Sequence, residues 1–160
     1  MAWAAVTAEF DVRHGGYGAP VPFLHDKAAN SGAIPKGCAV VITLASGKIS
    51  QAGTGGDAAG IIVMGVAADS VADAVTDRYL KVWRQGYVWM KKASPVQTDV
   101  GKLAYPDLVA ATGTDANTVI LTAPTNVTGA LGRITQIDAA NGLVEIELAP
   151  AAIAAGNENA

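Results

Sequence analysis

Only one cysteine, Cys38, stands in this chain of 160 residues, which excludes an intrachain disulfide framework and a cysteine-rich zinc site. The two histidines, His14 and His25, both lie in the irregular N-terminal stretch and lack the ligand spacing of a metal centre. Charged residues make up 16%, against a usual share of about 25%. The balance is −3, with an isoelectric point near 5.2, so the whole-chain field attracts neither nucleic acid nor an acidic membrane. Long apolar runs are missing too: Gly60 to Ala68 is too short to span a bilayer, and no basic segment followed by an apolar one marks a secretory leader. A soluble protein made without secretion machinery is the expectation. No stretch sustains the 3.6-residue period through three helical turns.

Alternation is what the chain has instead. Val144, Ile146 and Leu148 fall on one face of an extended segment and Glu145 and Glu147 on the other, the pattern of a half-buried strand. Asp138, Asn141 and Gly142 supply turn residues, so Leu131 to Ile137 should run back against that strand as a hairpin. Ile134 and Ile137 are three apart, so either the ladder ends at Ile137 or a bulge changes the facing. Further strands are expected at Cys38–Leu44, Lys48–Gln51, Ile61–Ala67, Val100–Tyr105 and Thr118–Leu121. Cys38 itself reads as a small buried hydrophobe. Ile61–Ala67 lacks polar alternation, which implies burial on both sides or a bulge near Gly65. Ala52–Gly60 is rich in glycine and reads as a flexible surface loop. Six to eight short strands joined by glycine-rich turns predict an all-β fold, a small β-barrel or β-sandwich-like domain.

Residues 1–30 show no sustained period and are broken by Gly15, Gly16, Gly18, Pro20 and Pro22, so they read as an extended N-terminal arm. Trp3, Phe10, Tyr17, Phe23 and Leu24 are too apolar for a free tail, and the arm should lie on its own domain or on a neighbour. The β domain then covers 31–148, and 149–160 is a C-terminal tail. If Tyr79–Met90 is extended throughout, Leu80, Val82, Val88 and Met90 line one face and Tyr79, Trp83, Tyr87 and Trp89 the other. One small core satisfies the aliphatic face, and the aromatic face needs a second cover. Gly86 opens the alternative of a bend that swaps the facing. Lys81, Arg84, Lys91 and Lys92 form a basic cluster among these aromatics. It could stack single-stranded bases, but in an acidic chain a solvated strand edge or complementarity to an acidic partner is the favoured reading. The low charged fraction suggests cover by other subunits.

Catalysis is not expected. The glycine runs Gly15–Gly18 and Gly53–Gly56 are not followed by the lysine and hydroxyl residue that cradle phosphate, and Asp57, Asp69, Asp73 and Asp77 are spread acids without a partnering base. No cofactor or metal is called for.

The phrases Gly65-Val66-Ala67, Val100-Gly101-Lys102-Leu103-Ala104-Tyr105-Pro106-Asp107 and Gly132-Arg133-Ile134 through Leu148, with the order of short strands from Ala33 to Leu148, resemble the capsid decoration or cement proteins of tailed bacteriophages. The resemblance implies a structural virion protein, not an enzyme, that binds the exterior of the mature head and stabilises contacts between capsomers. It implies the major capsid protein as partner, a homo-oligomer that is commonly a trimer, and residence on the outer surface of the virion after assembly in the host cytoplasm. The arm residues Trp3, Phe10, Tyr17, Phe23 and Leu24 would contact the capsid. Tyr79, Trp83, Tyr87, Trp89, Lys91 and Lys92 are the candidates for subunit interfaces. The competing expectation is a receptor- or glycan-binding head-fibre base module, with Trp83, Tyr87 and Trp89 stacking on sugar.

Overall fold

The computed structural model describes residues 18–26, 33–71, 77–108 and 117–150. They form ten strands: β1 (Val21–Leu24), β2 (Ala39–Thr43), β3 (Lys48–Gln51), β4 (Ile61–Ala67), β5 (Tyr79–Trp83), β6 (Tyr87–Lys91), β7 (Leu103–Pro106), β8 (Val119–Ile120), β9 (Gly132–Asp138) and β10 (Leu143–Leu148). A single turn of 3₁₀ helix, Gln97–Asp99, precedes β7. The fold is all-β, as the alternation and turn chemistry predict.

Two five-stranded antiparallel sheets divide the chain. The first has the order β1-β5-β4-β2-β3 and the second β6-β10-β9-β7-β8. In each, a residue flanking one edge strand bridges the opposite edge. His25, just past β1, makes a parallel bridge with Ile49 of β3, where the Asp26 N–H donates to the Ile49 carbonyl at 2.9 Å. Thr118, just before β8, makes one with Lys91 of β6. Edge strands with unpaired backbone groups invite association with other chains, and these bridges occupy part of each edge.

Apolar side chains sort into two main cores. The larger lies between the sheets, with Val41, Ile61, Val63 and Val66 of the first sheet facing Val88, Met90, Ile134, Val144, Ile146 and Leu148 of the second. The other occupies the opposite face of the first sheet, where Ile34, Val40, Ile49, Met64, Leu80 and Val82 pack with Cys38, which is fully buried. Burial of the thiol pushes its pKa well above the ordinary range, so it stays protonated and inert.

Bulges let one strand serve an irregular apolar pattern. In β9, Ile134 opposes Ile146 and Gln136 opposes Glu145, so Thr135 is the extra residue. That insertion returns Ile137 to the face of Ile134 and resolves their spacing of three. In β4, Val63 pairs with Val41 and Gly65 with Val40, leaving Met64 as the extra residue, and Val63 and Val66 both reach the inter-sheet core. Both faces of β4 are covered, which is why it lacks polar alternation. Gly65 and Gly132 are glycine for a further reason. A Cβ on either would run into a carbonyl oxygen of the neighbouring strand, Trp83 and Glu147 respectively.

Several details depart from expectation. Tyr79–Met90 is not one strand, because Arg84, Gln85 and Gly86 (φ +89°) carry the chain from the first sheet to the second. Pro22 does not exclude a strand: it sits in β1, a sheet edge, where a missing N–H is tolerated. The strand expected from Val100 begins at Leu103, because Asp99 folds the preceding residues into a turn. The Ala52–Gly60 loop is pinned rather than loose, with Ala52 and Gly53 buried and Asp57 bound to a segment of the second half of the chain.

Candidate interaction surface

Phe23 and Leu24 belong to β1, where Phe23 pairs with Leu80 and Leu24 with Tyr79. Directly opposed residues of an antiparallel pair point to the same face. Phe23 therefore packs with Leu80 against the core of the first sheet, and Leu24, half-buried, shares the face of Tyr79. The Arg84 guanidinium lies 5.8 Å from the centroid of the Phe23 ring, and its Nε donates to the Met64 carbonyl at 3.1 Å. Tyr79 is 72% exposed, the most exposed large apolar side chain among the described residues, with Val21 (41%) and Pro22 also open to solvent on the same strand pair. Trp3, Phe10 and Tyr17 lie outside the described residues.

The four aromatics of the conditional face are not brought together. Trp83 is half-buried against the inter-sheet core. Tyr87 and Trp89 stand on the face of the second sheet turned away from that core, half-buried, opposite Glu147 and Glu145 of β10. Lys91 is exposed opposite Leu143. Lys92 turns to Asp99, its Nζ 3.1 Å from Oδ2, with only 13% of its side chain exposed. The basic cluster is likewise split, since Lys81 lies on β5 of the first sheet and Lys91 on β6 of the second.

Asp57 and Asp77, two of the spread acids, and Asp99 each tie loops of the fold together. Asp57 accepts three backbone N–H bonds, from Thr125 at 2.7 Å and from Asn126 and Val127 at 2.8 Å each, tying the loop after β3 to the segment before β9. Desolvation raises its pKa, but the three N–H donors outweigh it and hold the carboxyl below its usual range. Asp99 is buried. Burial again pushes its pKa up, and the Val96 N–H at 2.9 Å, the Lys92 hydrogen bond and the charges of Lys92 and Lys102 bring it below normal. His25 is fully buried beyond β1, its Nδ1 accepting the Arg78 N–H at 2.9 Å. Lys48 and Asp77 form an ion pair of 2.6 Å that joins β3 to the approach of β5.

Between these loops an apolar cleft of about 210 Å³ is lined by Pro106, Leu108, Ile120, Ala123 and Pro124, with Asp57 at its margin. Its one carboxylate is already occupied by backbone donors, so the cleft offers apolar contact and no acid–base pair. Among the described residues no three His, Cys, Asp or Glu side chains are grouped to hold a metal ion.

Comparisons with protein-family models, with curated proteins and with solved structures find no match for this chain.

Proposed function

We propose that this protein is a structural component of a tailed-phage virion that binds the exterior of the mature head and stabilises contacts between capsomers. The observation that carries the reading is the apolar exposure at the β1–β5 edge of the first sheet, where Tyr79 on one face and Val21 on the other stay open while the cores are filled. The phrase resemblance around Gly65–Ala67, Val100–Asp107 and Gly132–Leu148 supports it. In this reading the first sheet curls as a small barrel-like unit and the second packs on it, and the partners are the major capsid protein and fellow copies arranged as a trimer. A subunit that binds only the closed geometry of a shell adds its binding free energy to that state, and many copies suffice at modest affinity.

The test is occupancy. Purified heads lacking this protein are mixed with the full chain and with Tyr79→Ser, and bound copies are counted after sedimentation. Saturable binding by the full chain, weakened in the variant, supports the reading. No binding to heads at any concentration overturns it. The exposed Tyr79 ring favours one competitor, a receptor- or glycan-binding head-fibre base module, which a glycan array probed with the isolated protein would reveal.

A further inference from the structure

The tip of the β9–β10 hairpin holds the one Asn–Gly pair in the sequence, Asn141–Gly142. Asn141 is exposed, and Gly142 has a φ of +66° with its carbonyl accepting the Lys92 N–H at 2.9 Å. The Asn141 N–H donates to Asp138 Oδ1 at 3.2 Å, and the Asn141 side-chain amide donates to Asp138 Oδ2 at 2.7 Å. A carboxylate only accepts, so the atom facing it must be the NH₂ group.

We propose that Asn141 is a site of spontaneous covalent modification, and that this turn converts the modification into loss of the hairpin tip. The backbone nitrogen of Gly142, losing its proton, attacks Cγ of Asn141. The N–Cγ bond forms, the Cγ–Nδ2 bond breaks, and ammonia leaves to give a cyclic imide. Water then opens the ring at one carbonyl or the other, yielding aspartate or isoaspartate. Glycine makes this accessible because no side chain shields its nitrogen. Asn117 and Asn126 are followed by the β-branched Thr118 and Val127, which do shield it. The clamp by Asp138 keeps the reaction slower than in a free peptide. The aspartate product removes a donor at 2.7 Å and sets a second carboxylate in its place, so attraction becomes like-charge repulsion. The isoaspartate product also inserts a methylene into the backbone between β9 and β10.

The experiment ages the full chain at mildly alkaline pH and maps its peptides with isoaspartate-specific detection. Preferential conversion at Asn141 over Asn117 and Asn126 is expected. An intact Asn141, after an unfolded peptide spanning 138–143 has fully converted, would overturn the site. Asn141→Asp isolates the charge change: its melting temperature should fall, and Asp138→Asn in that background should recover most of the loss. An Asn141→Asp variant as stable as the parent would overturn the coupling to the turn.

Discussion

Two aspartates illustrate how much a single carboxylate does in a loop-rich fold. Asp57 satisfies three backbone donors that would otherwise need water, and Asp57→Ala should cost about 1–3 kcal/mol, the lower part of that range being expected because the site is exposed. Denaturant unfolding measures it. Asp99 is the costlier loss. Asp99→Asn removes the charge facing Lys92 and Lys102 and should destabilise by about 3 kcal/mol, with the Lys92 ammonium left largely enclosed. Both carboxyls are held below their usual range in the folded state. The stability each contributes is therefore complete above the ordinary aspartate pKa of about 3.9 and is lost as pH falls through the lower folded value. Unfolding curves should accordingly show the gap between wild type and Asp99→Asn constant near neutrality and closing only in strong acid. A gap that already narrows near neutral pH would contradict this assignment.

Strands, rather than residues, are where bulges matter. Thr135 is the extra residue that lets Ile134 and Ile137, three apart, share one face, so deleting it should leave them two apart, both still facing the core, and cost only the hydroxyl's bonds to Glu145, roughly 0.5–1.5 kcal/mol. Thr135→Ser keeps the bulge and the hydroxyl and should be nearly neutral; thermal unfolding of the two variants checks this, and a deletion that costs as much as exposing Ile137 would contradict the assignment of Thr135 as the extra residue. This is also the scale at which legibility divides. The alternation Val144, Ile146, Leu148 declares a half-buried strand, and the turn residues Asp138, Asn141 and Gly142 declare its partner, because both signals are local. The uninterrupted apolar run of β4 signals two-sided cover for the same reason. The change of sheet at Gly86 is only suggested locally, since a glycine permits a bend without requiring one. The clamp of Asp57 on residues 125–127 has no local signal at all, since its donors are about 70 positions away and are backbone groups of no particular type. Trp83 illustrates a third case: alternation assigns it correctly to the face of Tyr79, but not that the second sheet reaches far enough to cover one of the two.

At the scale of the molecule, the placement of β1 decides how the arm can be tested. Phe23 packs against the core of the first sheet and His25 fastens that strand to β3, so removing residues 1–30 would take away a sheet edge together with whatever precedes it. Any loss of head binding in such a truncation would be uninterpretable. A chain beginning at Gly18 keeps Val21–Leu24 and both of its attachments, and should unfold at the same denaturant midpoint as the full chain. If Trp3, Phe10 and Tyr17 contact the capsid, that chain will occupy heads less fully than the intact protein while folding as well as it does. Tyr79→Ser asks the same question of the exposed flank, and light scattering of each chain in solution separates a lost subunit contact from a lost capsid contact. Equal occupancy by the full and shortened chains, at equal stability, would remove the arm from the mechanism and leave the flank of the first sheet to account for binding.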